Sequence, residues 1–247
     1  MKRVPIHNLS LARTKIEWDR AAATRRAQIC GGIDHSAIQV LAPAIRQLLA
    51  SPQKRKPSNV LDVGCGVGWL SRKLIRLATH VTAIDPSRVS IEIAKSDFSD
   101  TNISYLCTTV QALARKSGPS VFDAAVANMT LSVTPALASV LGALAHLLKP
   151  KGALIFTIPH PCFWPQYWRY SEESWFNYLK TIAIQADFRI SNQRTALTTT
   201  HIHRPLEKYF AELHEQGLVV DVVRELLGRE FSKPRFLVMR CINQKNA

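Results

Sequence analysis

Asn59-Val60-Leu61-Asp62-Val63-Gly64-Cys65-Gly66-Val67-Gly68 passes from an apolar run into a turn with glycine at alternate positions. The residues that follow, Trp69 to Leu77, place apolar side chains at Leu70, Leu74 and Leu77, the spacing of a helix face. Strand, glycine turn and helix is the unit of open α/β sheets, whose ligands sit at the carboxyl ends of the strands. Three ligand classes use such a turn. A phosphate-cradling loop ends in Gly-Lys-Ser/Thr, whereas Gly68 is followed by Trp69. A dinucleotide fingerprint is G-x-G-x-x-G; Gly64 and Gly66 fit it, but its third glycine falls on Trp69, and Gly68 comes one residue early. Asp62 at the strand end pairs with a cationic amino group and repels a pyrophosphate. The pattern D-x-G-x-G-x-G therefore favours a zwitterionic, sulfonium-bearing ligand.

This turn resembles that of the class I S-adenosylmethionine-dependent methyltransferases, and the later spacing fits the same family. The resemblance implies an α/β fold with a Rossmann-like seven-stranded sheet flanked by helices. It implies S-adenosyl-L-methionine as cofactor, with S-adenosyl-L-homocysteine as product, and it gives the methionine part to Asp62, Gly64, Cys65, Gly66 and Gly68. A second strand, His80–Asp85, ends in an acid twenty-one positions after Gly64; an acid there accepts hydrogen bonds from ribose hydroxyls. Pro86 and Ser87 then open a helix, with Ser87 as its cap. After a third strand, Ile103–Cys107, the family carries an acid that meets the adenine amine. Here the position is Thr109, followed by Val110 and Gln111, so the adenine contacts rest on a neutral hydroxyl. Val121–Met129 resembles the fourth family motif, and Asn128, Met129 and Thr130 are assigned to the methyl-transfer site. Leu148-Lys149-Pro150-Lys151-Gly152 matches the family's Leu-x-Pro-x-Gly turn into a fifth strand. Two last strands, 218–223 and 235–241, are expected to form an antiparallel edge.

The expected organisation is an N-terminal helical segment over residues 1–50, bent or restarted at Pro43, and a methyltransferase domain over 51–247. Within it, residues 160–203 read as an aromatic-rich helical and loop cap inserted after the fifth strand. Residues 163–178 hold eight of the 19 aromatic side chains. Phe163, Trp164, Tyr167 and Trp168 are candidates for a lid over the sulfonium that grips a planar or apolar substrate. The alternative is a small satellite core under a long loop. His160 ends the fifth strand, and His201 and His203 share a face if their segment is extended. An imidazole can take a proton from the methyl acceptor; His160 is the first candidate base and His203 the second, against a structural role for either. Arg204 is a candidate to hold an anionic substrate group. No carboxylate triplet suggests a metal.

The 247 residues carry a net charge of +14. The basic residues are scattered, with the densest cluster, Lys54-Arg55-Lys56, in a Pro-flanked linker. No RNA-binding signature accompanies them. The five cysteines are spread without a C-x-x-C pair, which argues against a zinc site or a disulfide framework and for a reducing cytoplasm. No apolar run reaches the ~20 residues of a membrane span. Residues 199–210 resemble the terminal region of the ubiquinone- and natural-product-modifying branch of the family. The expected function is methylation of an oxygen, or next a nitrogen, of a small metabolite. RNA methylation, motivated by the charge, and a non-catalytic S-adenosyl-binding protein, motivated by Thr109, are the alternatives.

Overall fold

The computed structural model of the protein describes residues 1–50, 56–190, 195–229 and 231–244. Lys54 and Arg55, and most of the expected linker, lie outside the described residues; Lys56 is exposed. In chain order the elements of the first half are β1 (Lys2–Val4), α1 (Leu11–Cys30), α2 (Ala42–Leu49), β2 (Asn59–Val63), α3 (Ser71–Leu74), β3 (His80–Asp85), α4 (Arg88–Asp97), β4 (Ile103–Cys107) and α5 (Val110–Lys116). There follow β5 (Phe122–Asn128), α6 (Leu137–Leu147), β6 (Leu148–Pro159), α7 (Trp164–Tyr167), β7 (Ile182–Asp187), β8 (Thr198–His203), α8 (Leu206–Glu215), β9 (Leu218–Leu227) and β10 (Pro234–Asn243).

Alternate residues of the central strands go to opposite faces of one sheet. Leu61 and Val63 of β2, Ala125 and Ala127 of β5, and Leu154 and Phe156 of β6 join one core. Val60, Ala124, Val126 and Ile155 join the other. Strands buried on both faces need helices on both sides, which is why they read as unbroken apolar runs. One face is covered by α2, α3 and α4 through Ile45, Leu48, Leu74, Ile91 and Ala94. The other is covered by α5, α6 and α8 through Val110, Leu141, Leu144, Tyr209 and Leu213.

The seven strands run in the order β4-β3-β2-β5-β6-β10-β9. The first five pair in parallel, and β10 is antiparallel to both β6 and β9. The expected seven-stranded Rossmann-like sheet with an antiparallel edge is thus the observed one. The chain leaves β2 toward β3 on one side and returns through β5 on the other, so the crevice beyond the ends of β2 and β5 is the switch point where ligands of such sheets bind.

Two elements differ from expectation. The helix after the glycine turn is four residues long, not nine, because its following N–H groups of Arg76 and Leu77 bond three residues back, to Lys73 and Leu74. The inserted segment is not a helical and loop cap throughout. After the single turn of α7 it forms β7 and β8, which join β1 in a separate three-stranded antiparallel sheet. β1 and the insertion therefore make one small layer, with α1 packed against β8. At Pro43 the chain restarts as expected: residues 36–41 form a π turn, the Ala42 N–H reaches the Ala37 carbonyl, and Pro43 sits in the first turn of α2.

Helix α1 ties this layer to the main sheet. Ser10 caps it by accepting from the Arg13 N–H at 3.2 Å. The carboxylate of Glu17, buried, accepts from the Thr200 N–H at 2.8 Å and the Thr200 hydroxyl at 2.9 Å, on β8. Asp19 accepts from the Ser87 hydroxyl at 2.6 Å at the head of α4, and Arg26 pairs with Asp97 at its foot. Glu17→Ala strands a buried N–H and hydroxyl and is expected to destabilise the protein by about 2–3 kcal/mol. Faster hydrogen exchange over residues 11–30 and 198–203 should accompany the loss. A stability change within error would mean that packing alone holds the cap.

Candidate functional site

The glycine turn is held by the neighbouring strand. The N–H groups of Gly64 and Cys65 both donate to the Ile84 carbonyl, at 2.8 and 3.0 Å, and the Gly68 N–H donates to the Cys65 carbonyl at 3.1 Å. Gly64, Gly66 and Gly68 have φ of +68°, +53° and +84°, the left-handed region that glycine enters without a steric penalty. A Cβ on Gly64 would lie 2.6 Å from the Thr130 methyl carbon, and one on Gly68 would lie 2.7 Å from the Ala94 Cβ and 2.9 Å from the Tyr105 hydroxyl. A Cβ on Gly66 would meet no atom within 4 Å. The first and third glycines are thus required by close packing, while the middle one leaves the backbone bare beside open space.

Asp85 closes the turn against the next strand. One carboxylate oxygen accepts from the Gly66 N–H at 2.9 Å and the other from the Ser87 N–H at 2.8 Å. Burial pushes its carboxyl up to about 6, against the opposing effect of the Ser87 and Gly66 bonds. Pro86 lies between the two, and Ser87 caps α4 by accepting from the Ser90 N–H at 3.1 Å. Asp62 is enclosed under the turn, where it accepts from the Ser71 hydroxyl at 2.6 Å. Burial raises its carboxyl to about 7. It fixes the turn to α3 from beneath. Cys65 is buried, its thiol held well above its ordinary pKa by burial and by the two nearby carboxylates.

Thr109 caps α5, its hydroxyl oxygen accepting from the Ala112 N–H at 3.1 Å, so one of its lone pairs is engaged locally. The Val110 side chain packs into the core and Gln111 reaches Ser139 at 3.4 Å. At the end of β5, the Asn128 amide oxygen accepts from the Thr157 hydroxyl at 2.7 Å. Met129 has φ +58°, and its N–H donates to the Thr157 carbonyl at 3.0 Å. Thr130, expected to line the substrate space, instead donates its hydroxyl to the Val63 carbonyl at 2.9 Å and fills the room beside Gly64.

The aromatic insertion builds a satellite core. Trp164 and Tyr170 are buried with Leu41, Ile182, Ile184 and Phe236, and Tyr167, Trp168 and Met129 pack against them. Trp164 lies 5.2 Å from Tyr167 and 5.3 Å from Trp168, ring to ring, and the Arg235 guanidinium sits 4.0 Å from the Tyr167 ring. Phe163 packs against His160 at 4.7 Å. Met129 is the link between this cluster and the switch point.

Two polar assignments are corrected. His160 is buried, and both ring nitrogens are engaged: Nδ1 accepts from the Cys162 N–H at 3.3 Å and Nε2 meets Glu225 at 2.9 Å. It pins the chain leaving β6 to β9 and has no nitrogen to act as a base. Arg204 is also buried and donates to the carbonyls of Leu131, Thr134 and Pro135, so it shapes the loop after β5 and holds no substrate anion. His160→Ala is accordingly expected to lower stability by about 1–3 kcal/mol and to leave the affinity for S-adenosylhomocysteine unchanged. A large drop in turnover at unchanged stability would return His160 to the chemistry. His203 donates its Nε2–H to the Tyr178 carbonyl at 2.9 Å, since a carbonyl can only accept. Burial lowers its pKa, against the effect of that bond. His201, read from sequence only as a companion of His203, is pushed down to about 3, by burial and then by His203. Among the described residues, no group of three His, Cys, Asp or Glu side chains is placed to hold a metal.

Residues 33–220 match the model of a methyltransferase domain family. The chain belongs to that methyltransferase family. This methyltransferase is 27% identical over 205 residues to the malonyl-[acyl-carrier protein] O-methyltransferase of Halalkalibacterium halodurans, covering 79% of this chain and 73% of that one. It is 40% identical over 106 residues to the ubiquinone biosynthesis O-methyltransferase of Xylella fastidiosa, covering 41% of this chain and 43% of that enzyme. It shares its fold with the 1,6-didemethyltoxoflavin-N1-methyltransferase of Burkholderia thailandensis, crystallised with S-adenosylhomocysteine, at a TM-score of 0.64 and 14% identity, over 99% of this chain and 93% of that one. The bare backbone at Gly66, set against the Asp85 carboxylate, is a cradle that fits the adenosyl-sulfonium cofactor of the family.

Proposed function

We propose that this methyltransferase moves the methyl group of S-adenosylmethionine to a hydroxyl oxygen of a small molecule. The observation that carries the reading is Asp85, which locks the Gly64–Gly68 turn and ends β3 one strand away from the switch point. An ionised carboxylate there accepts from the two hydroxyls of a ribose. The turn offers its backbone to the methionine part, with Asp62 fixing it through Ser71. Thr109, Val110 and Gln111 stand where the adenine edge is expected, and Asn128 and Met129 border the methyl. When bound, the cofactor supplies a methyl on a sulfonium, already an excellent leaving group. The work left to the chain is to orient the acceptor, exclude water and take up a proton. Met129 and the aromatic layer beside it, Trp164, Tyr167 and Trp168, supply the apolar wall, and Phe163 its outer edge. The names of the two sequence relatives support an oxygen acceptor; that of the Burkholderia enzyme keeps nitrogen as the second candidate.

Among the described residues no helix is long and apolar enough to cross a membrane. The net charge of +14 leaves RNA as a rival acceptor. The test is incubation of the protein with methyl-labelled S-adenosylmethionine and, separately, a panel of phenols and amines and bulk tRNA. Label in an organic-extractable ether supports the reading. Label in RNA, with binding that weakens steeply with salt, replaces the acceptor, and no transferred label with intact cofactor binding leaves a non-catalytic binding protein.

A further inference from the structure

Helices α2 and α3 cover the same face of the main sheet but stand apart on it. α2 rests on β6 and β10, and α3 on β3. β2 and β5 run between them. With adjacent strands about 4.8 Å apart, β3 and β6 are separated by roughly 14 Å, wider than the ~8–10 Å between packed helices. The gap is an open groove of about 730 Å³. Its apolar lining is Ile45, Leu70 and Leu74 of the core below, with half-buried Ile38, Ala42 and Leu77.

The charged lining has one sign. Arg46 comes from α2, and Lys73 and Arg76 from the opposite wall; all three are exposed, and no aspartate or glutamate lines the groove. Among the described residues none of the three pairs with a carboxylate, although neighbouring Arg72 pairs with Asp100 at 2.8 Å. Lys73 lies 4.5 Å over the Trp69 ring, which leaves its charge free for a second partner. These features restrict the occupant. A bilayer is flat and does not reach the floor of a groove. A second copy of this chain, at +14, brings like charge to a basic rim. A single-headed anionic amphiphile gathers its charge at one end, whereas the cations here come from both walls. A helix with acids on either side of an apolar stripe meets both walls at once, and its diameter of about 10 Å fills the missing width.

We infer that the groove between α2 and α3 is a docking site for an acidic amphipathic helix of a partner protein. Two turns of that helix, about 11 Å, match the eight residues of α2. Apolar side chains at i, i+3, i+4 and i+7 enter over Leu70 and Leu74. Acidic side chains beside them face Arg46 on one wall and Lys73 and Arg76 on the other. The inference is independent of the methyl-transfer reading, since none of the three cations belongs to the glycine turn or to the end of β5.

The probe is a fluorescein-labelled helix of about 15 residues, hydrocarbon-stapled because free helices of that length are marginal in water. It carries leucine at the apolar positions and glutamate beside them, and is titrated into the full chain by anisotropy. Saturable binding that weakens with salt is expected, with hydrogen-exchange protection confined to residues 38–47 and 70–77. A peptide with lysine for glutamate should not bind, and one with serine for leucine should bind roughly tenfold more weakly; this comparison needs no variant. Arg46→Glu combined with Lys73→Glu should weaken the glutamate peptide at least about tenfold, at unchanged melting temperature and S-adenosylhomocysteine affinity. No saturable binding below about 1 mM, equal binding by the charge-reversed chain, equal binding of the serine peptide, or protection elsewhere overturns the docking site. Sedimentation of the chain alone and flotation with phosphatidylglycerol vesicles complete the test. A dimer or a vesicle complex that protects the same residues, and that the glutamate peptide does not displace, overturns the helix as occupant.

Discussion

Gly68→Ala is expected to lower the apo melting temperature by roughly 5–15 °C, the equivalent of about 2–5 kcal/mol in a chain of this size. Two terms add. A left-handed φ penalises any Cβ by about 1–2 kcal/mol, and φ here is +84°. Overpacking adds about 1–3 kcal/mol, because the new carbon would sit 2.7 Å from the Ala94 Cβ, on a helix anchored at both ends by α1. Gly64→Ala meets Thr130 and should behave alike. Gly66→Ala is the contrast: no atom lies within 4 Å of its Cβ, so its stability loss is confined to the φ penalty while its cofactor affinity falls steeply. Thermal unfolding without ligand and calorimetry with S-adenosylhomocysteine separate the two effects. A Gly68→Ala protein that melts within a degree of the parent would show that α4 moves aside, and the close-packing account of the third glycine would be wrong.

Asp85→Ala is expected to weaken S-adenosylhomocysteine binding by roughly 10–100-fold, as charged hydrogen bonds of about 1.5–3 kcal/mol are lost. The pH dependence gives a second signature. The carboxyl is raised to about 6, so ribose binding by the charged form should weaken as pH falls through about 6, and the profile of Asp85→Ala should be flat there. Apo stability moves the other way. An acid whose folded pKa lies above its unfolded value binds more protons when folded, so its contribution is unfavourable above pH 6 and is relieved as pH falls from about 6 toward 4. Asp62, raised to about 7, acts in the same direction between about 7 and 4. The apo protein should thus gain stability over the same range in which it loses cofactor affinity. Unchanged calorimetric affinity of Asp85→Ala would take Asp85 out of the site.

The main sheet was readable because β2, β3, β5 and β6 are buried on both faces and carry their own apolar record. The glycine turn was readable because its backbone demands are met by residue type. The cap sheet was not: β8, Thr198–His203, is rich in threonine and histidine and carries no apolar run, and β1 spans only three residues. The fates of His160 and Arg204 depend on Glu225 and on carbonyls 69–73 residues away, partners that local pattern does not reveal. Thr109 carried a readable signal that pointed elsewhere, since threonine before Val-Gln-Ala-Leu is also an N-cap.

The pairing of β1 with β7 sets a waiting time. Arg3 lies opposite Ile184, so β1 finds its neighbour only after synthesis has run on as far as β7. At about 5–20 residues per second, that is a delay of roughly 10–40 s, during which α1 has neither β8 for Glu17 nor, at first, α4 for Asp19. The basic side chains of residues 1–26 then act as a solubilising guard on an unpaired edge. In refolding, this layer should close last, as a slow phase seen by the insertion's tryptophans after the central sheet has formed.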